Sequence, residues 1–432
     1  LTGRLPPGGF HELTPERRPE TPIFRTKTKN LKKTCKNIGP DMESGIDSCY
    51  DFHKNRNLKG CIGLNNLQVR DANKNRIINF LYSNNGATKQ NIAETLGLSM
   101  PTVSLILKDL ERRGLVTKSG TLESSGGRKP FVNSLAYGAR LSCGIEVTQN
   151  HIRFVMIDLG ENVLFYKKIR ETFQNDDAYF KTLADNLELF LQENHVDCGK
   201  LLGVGIAVPG LMNPKSDILE YSPTLRVKDL PIDRLKKDIP YPVMVNNEAS
   251  LAGLAEIWKM DGTESAVFLS VNKGVGGAII IDNKLYGGVN GHSGEFGHMT
   301  IVQDGLVCSC GKKGCLEAYC STKVLTEPNF EDVDDFFAAL EMGNQYCRQK
   351  WEIYLDYLAT GINNIRTIFD SDIIIGGEID RYLEKYSDLL FKKLLPLNSF
   401  GASPDYLHFS RFNDKASAIG AALLQIDSFL ND

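Results

Sequence analysis

Six residues between positions 295 and 317 have the types and spacing to hold a metal and a polar ligand: Glu295, His298, Cys308, Cys310, Cys315 and Glu317. One histidine and three cysteines fall within 18 residues, the Cys₃His composition of closed, tetrahedral zinc sites. Glycines at 305, 311 and 314 would let a short loop fold back so that three thiolates converge on one ion. Protein fills all four positions of such a site and none is left for water, so the expected ion is a structural Zn2+. The competing reading is a set of buried or incidental cysteines. That reading would suffice for a lone Cys-x-Cys, and the complete set argues against it.

The segment GEFGHM followed by CSCGKKGCLEAY resembles the signature of the ROK family, which contains sugar kinases and sugar-responsive repressors. The similarity extends from about residue 66 to residue 432. In that family the Glu and His of the E-x-G-H segment and the Glu after the last Cys grip sugar hydroxyls, while the His and Cys hold zinc. The resemblance therefore implies that Glu295, His298 and Glu317 face a sugar here, with zinc fixing the His298 ring.

A kinase of this family carries an Asp, two glycines and a Thr in its first hairpin, where the backbone approaches phosphate. The matching residues here are Glu146, Val147, Thr148, Gln149 and Asn150, which replace both glycines with side chains. The second phosphate turn, Gly-Thr-Gly in the family, reads Asn272, Lys273, Gly274, with Gly276 and Gly277 retained. The catalytic Asn-Asp pair is Asn247 and Glu248. A glutamate can act as a base, but the extra methylene moves its carboxylate by about an ångström, at a cost on the order of a hundredfold. These three departures point away from catalysis and towards a domain that binds sugar without transferring phosphate. Asn247 and Glu248 join Glu295, His298 and Glu317 as groups able to line a sugar pocket; alternatively the first two cap the following helix.

The elements that must position these residues follow from periodicity. In the stretch from residue 66, Ile77, Ile78, Leu81 and Tyr82 recur at helical spacing and Gly86 ends the run. Thr88 suits the N-cap of a short helix closed by Gly97, and Ser99 caps a third helix with Pro101 in its first turn. That helix, 100–113, buries Val103, Ile106, Leu107 and Leu110; Gly114 and the strand LVTKSG follow. The pattern is that of a winged helix-turn-helix over 66–130. Ser99, Thr102, Ser104 and Lys108 are expected at the major groove, and Arg128 and Lys129, beyond the hairpin, at the minor groove or the phosphates. A helical interaction domain that touches no DNA is the alternative.

From about residue 137 strands and helices alternate, which establishes an α/β class. The resemblance adds the two-lobed, actin-like (ribonuclease H-like) fold, here a sugar-sensing domain over 131–432. The acidic stretch 327–341 is expected to be a solvated surface helix. Residues 1–65, rich in Pro, Gly, Thr and charge without apolar periodicity, are expected to be disordered or a non-native leader. A basic DNA-contacting arm is the alternative for that stretch.

Charge supports the division. Residues 1–130 hold 22 Lys+Arg and 12 Asp+Glu, net +10; the remainder holds 50 − 22 = 28 against 53 − 12 = 41, net −13. A basic front on an acidic body suits nucleic acid at one end only, although a solvated basic tail would give the same numbers. Ten cysteines, seven of them scattered, together with a metal cluster point to a reducing cytoplasm. The sequence contains no apolar run long enough to span a membrane. The expectation is a cytoplasmic, sugar-responsive repressor resembling the branch of the family that senses xylose. It would be a homodimer or higher homo-oligomer on an inverted-repeat operator, released by a monosaccharide. An active sugar kinase carrying a DNA-binding module is the rival reading.

Overall fold

A computed structural model of the protein describes residues 66–121, 131–213, 216–258, 260, 262–398 and 403–431. The expected leader, 1–65, and the basic pair Arg128 and Lys129 lie outside the described residues.

Three helices open the described residues: α1 (Asn66–Ser83), α2 (Lys89–Leu96) and α3 (Met100–Arg112). Short polar side chains start the second and third: Thr88 accepts the Asn91 N–H and Ser99 the Thr102 N–H. Gly97, at φ 64°, ends α2 in the left-handed conformation. Strands β1 (Val116–Thr121) and β2 (Phe131–Leu135) pair antiparallel, with Val116 opposite Leu135. SSGGRKP (124–130) therefore falls between the two strands of the wing and not beyond the hairpin, because the second strand is FVNSL.

The first lobe follows as β3 (Leu141–Val147), β4 (His151–Asp158), β5 (Val163–Arg170), α4 (Asp177–Glu193) and β6 (Leu201–Val208). A small antiparallel sheet of β7 (Leu211–Asn213), β8 (Ile218–Ser222) and β9 (Val227–Pro231) comes next, then α5 (Asp233–Lys236), β10 (Val243–Asn247) and α6 (Glu248–Trp258). The second lobe contains β11 (Ala266–Val271), β12 (Val275–Ile281), β13 (Lys284–Leu285), α7 (Glu317–Cys320), α8 (Thr322–Thr326), α9 (Val333–Glu341), α10 (Gln345–Phe369), β14 (Asp372–Gly376), α11 (Asp380–Lys385), α12 (Ser387–Leu394) and β15 (Leu407–Phe409), and the last helix, α13 (Ala416–Asn431), returns to the first sheet.

The two large sheets have one plan. The first is ordered β5-β4-β3-β6-β10 and the second β13-β12-β11-β14-β15. In each, the first three strands form an antiparallel meander and the last two run parallel to the central one. This repeated sheet is the two-lobed, ribonuclease H-like architecture expected above.

Helix α13 joins the parts. It lies against β3, β6 and α6 with no clearance: a Cβ on Gly205 of β6 would stand 1.8 Å from the Ala421 carbonyl, and one on Gly420 1.8 Å from the Leu251 carbonyl of α6. Its far side continues into the helix-turn-helix. Ile77, Ile78 and Leu81 of α1 share one core with Val155 and Ile157 of β4, Ala255 of α6, and Ile419, Leu423 and Ile426 of α13. The helix-turn-helix and the α/β body are thus fused through apolar packing, not merely tethered.

The acidic stretch corrects its expectation. Helix α9 buries Val333, Phe336, Phe337 and Leu340, and Phe337 stacks on Tyr382 with ring centroids 3.8 Å apart. The i, i+3, i+4, i+7 seam was hidden by the charge around it: Asp332 caps the helix, and Asp334 and Asp335 occupy its first turn, where the helix dipole favours carboxylates.

Candidate functional site

The loop between β13 and α7 brings the four soft ligands together. The donor atoms of His298, Cys308, Cys310 and Cys315 lie within 4.8 Å of one another. Two edges of this cluster are 3.7 Å (Cys308 Sγ to His298 Nδ1) and 3.8 Å (Cys310 Sγ to Cys315 Sγ). Zn–S and Zn–N bonds in a tetrahedron imply edges of about 3.6–3.8 Å, so both the donor set and its spacing fit a tetrahedral divalent ion. Burial pushes the Cys315 thiol up to about 12, and the Cys308 thiol is raised for the same reason. A bound cation would hold both as thiolates.

Backbone hydrogen bonds close the loop: Cys308 N to Lys312 O at 2.8 Å, Gly311 N to Cys308 O at 2.9 Å, and Gly314 N to Leu306 O at 2.8 Å. The expected glycines serve different ends. Gly311 and Gly314 have φ of 85° and 79°, whereas Gly305 makes room for the Tyr319 hydroxyl, which would stand 2.0 Å from a Cβ there.

His298 faces Cys308 through Nδ1, which leaves Nε2 on the opposite edge of the ring for another partner. One imidazole can therefore hold metal and ligand at once. Glu295 precedes it in a single 3-10 turn; burial raises its carboxyl pKa, and His298 and His292 pull it back. Glu317 accepts the Val275 N–H at 3.0 Å on one oxygen and the Ser309 hydroxyl at 2.6 Å on the other. It ties the metal loop to the start of β12; Oε1 also accepts from Cys308 Sγ at 3.6 Å, and Oε2 keeps one lone pair for a further donor.

Asn247 and Glu248 stand at the junction of β10 and α6. Asn247 caps the helix, its Oδ1 accepting Ser250 N at 2.9 Å, while its Nδ2 donates to Gly210 O at 2.8 Å. The capping alternative is thus realised for Asn247. The half-buried Glu248 carboxyl is pushed up to about 8, first by desolvation and then by the neighbouring Glu146 charge; Arg153 opposes this and Glu378 adds to it.

The two turns that correspond to the family's phosphate turns make contacts within the chain. Glu146 is buried and accepts Arg153 Nη1 at 2.6 Å, an ion pair that sequence reading missed because its partner sits across the strand pair on β4. At the hairpin turn the Thr148 hydroxyl accepts His151 N and donates to His151 O, both at 3.0 Å. In the second turn Asn272 Oδ1 accepts Glu378 N at 2.8 Å and its own N–H meets Gly274 O at 2.9 Å; Lys273 is exposed. Glu378 is a further cleft residue that no spacing in the sequence could have indicated.

On α3, the Ser99 and Thr102 hydroxyls bond each other at 2.8 Å; Thr102 and Ser104 are half-buried and Lys108 is exposed. The Trp258 indole at the end of α6 donates to Tyr82 Oη of α1 and to Glu161 Oε1, both at 2.8 Å, and Tyr82 also bonds Glu161. Helix α6 thus carries Glu248 at its first residue and the link to α1 at its last, the two ends of an 11-residue helix, about 15 Å apart.

A profile of the ROK family matches residues 142–428, and one described as winged helix-turn-helix DNA-binding matches 70–117. The chain is 25% identical over 395 residues to a xylose repressor of Caldicellulosiruptor bescii, an alignment covering 85% of this chain and 98% of that one. It is 28% identical over 277 residues to a glucokinase of Halalkalibacterium halodurans, covering 58% of this chain and 83% of that one. A solved ROK family transcriptional regulator, a homolog of the E. coli MLC protein, superposes with a TM-score of 0.70 at 23% identity, covering 84% of this chain and 98% of that one. The chain belongs to the ROK family, with a winged helix-turn-helix ahead of its ROK domain.

Proposed function

We propose that this protein is a transcriptional repressor that binds operator DNA through its winged helix-turn-helix and is released when a free monosaccharide enters the cleft of its ROK domain. One observation carries this reading: the phosphate turns are filled by internal contacts, Glu146 with Arg153 and Asn272 with Glu378, while the E-x-G-H turn and the metal loop beside it keep the form of a binding site. Glu295, His298 through Nε2, Glu317 and Glu248 are the sugar-contacting groups in this account, and Asn247 positions the last by capping α6. Zinc at His298, Cys308, Cys310 and Cys315 holds the histidine ring and the loop rigid. Xylose is the first candidate effector, by similarity to repressors named for it. The repressor acts as a dimer on an inverted repeat, since two-fold symmetry places two recognition helices about one DNA turn apart.

The rival is a sugar kinase with an attached DNA-binding module. Glu248 is the observation in its favour, because a carboxylate whose pKa is pushed up to about 8 is a stronger base than an ordinary one once it has lost its proton. The loss of both phosphate turns weighs more, since a base without a bound phosphoryl donor transfers nothing.

A thermal-shift screen of the full chain against free monosaccharides, xylose first, tests the proposal. A ligand that binds only the folded state raises its stability in proportion to occupancy. A sugar that stabilises the protein, with no ADP formed when ATP is added, is the expected outcome. Sugar-dependent ADP production at enzymatic rates would establish the kinase instead.

A further inference from the structure

The apolar residues of α3 divide into two sets. Val103, Ile106, Leu107 and Leu110 are buried, whereas Met100, at the first residue, is 47% exposed and Leu105, in the middle of the helix, 58%. A single exposed leucine is ordinary on most surfaces, but this one stands on the helix that enters DNA. Pro101, Leu105, Lys108 and Arg112 recur at i, i+4, i+7 and i+11 and are all exposed, so they form one outward stripe.

Several of the polar groups around that stripe are already engaged within the module. The Thr102 hydroxyl is bonded to Ser99 at 2.8 Å. Arg112 and Arg113 pair with Asp109 at 2.8 and 3.0 Å, and Lys118 of β1 pairs with Glu111 at 2.6 Å. Ser104, Leu105 and Lys108 are left in the middle of the helix to meet base edges. Lys108 can serve phosphate or guanine. Leu105 has no polar side-chain atom and can contribute only by covering an apolar group. In the major groove that group is the C5-methyl of thymine.

We propose that Leu105 is a specificity-determining residue that packs on the C5-methyl of one thymine in each operator half-site. The inference rests on the repressor reading above and adds to it the residue that reads sequence without a hydrogen bond. A leucine serving protein docking instead would be indifferent to that methyl.

The test begins by selecting tight-binding duplexes from a random library with the full chain. Each thymine of the selected site is then replaced by deoxyuridine, which removes only the methyl. Affinity should fall roughly fourfold per half-site at one symmetric pair of positions, the effect of one methyl group returned to water. Leu105→Ala should lose a similar factor on the thymine site and show no further loss on the uracil site, with its thermal midpoint unchanged. Equal affinity for thymine and uracil at every position overturns the assignment, as does a uracil penalty that persists in Leu105→Ala. Enrichment of no duplex at all would overturn the repressor reading itself, and Leu105 with it.

Discussion

The junction of Trp258 with Tyr82 and Glu161 allows a signed prediction about how the cleft reaches the DNA-binding module. Trp258→Phe keeps most of the ring and removes the one indole N–H, which donates to both Tyr82 and Glu161 at 2.8 Å. A hydrogen bond to a charged acceptor contributes roughly 1.5–3 kcal/mol. Trp258 is only half-buried, so the low end applies, about a tenfold change in an equilibrium constant. If these bonds hold the DNA-binding arrangement, the substitution moves the equilibrium towards the released one. A ligand that favours the released arrangement then has less to overcome. In a titration of sugar into a complex with fluorescent operator, the midpoint for release should fall about tenfold relative to wild type. Operator affinity without sugar should stay level or drop. A midpoint within twofold of wild type would remove the junction from the switch, and a midpoint shifted to higher sugar would place these bonds in the sugar-bound state.

Three further outcomes follow from the site. Freshly purified protein should contain about one zinc per chain by metal analysis, and Cys310→Ser should lose it together with the sugar-induced thermal shift, since structural zinc contributes on the order of 10 kcal/mol to local folding. Glu295→Ala should bind operator normally and fail to respond to sugar, measured by the same release titration. Glu248→Gln should stabilise the sugar-free protein increasingly with pH. The folded carboxyl, facing Glu146, Arg153 and Glu378, holds its proton to about pH 8 against an ordinary 4.5, so wild-type stability falls across that window and levels off above it. The gain should reach roughly 1–3 kcal/mol at pH 8 after allowance for partial exposure, read from thermal midpoints at several pH values.

Local chemistry made much of this fold legible. Thr88, Gly97, Ser99 and Pro101 mark helix ends because capping and φ preferences act within a turn or two of chain, and the boundaries fell where those residues stand. The metal cluster was legible because three of its four ligands lie in one short loop. What escaped was set by partners far along the chain. The Glu146–Arg153 pair depends on strand register, the Trp258–Tyr82 link spans 176 residues, and Glu378 enters the cleft from the second lobe. The small sheet of β7, β8 and β9 was missed because strands of three to five residues leave little periodicity to read. The α9 seam was present in the sequence and was outweighed by its charge.

Operator affinity of the full chain, measured with and without a saturating amount of a monosaccharide already shown to bind, tests the coupling of cleft to operator. A sensor whose cleft closes around its ligand should bind operator more weakly with sugar, by roughly 5–150-fold. Identical affinities in the two titrations would contradict it, because a ligand that binds both arrangements equally shifts neither.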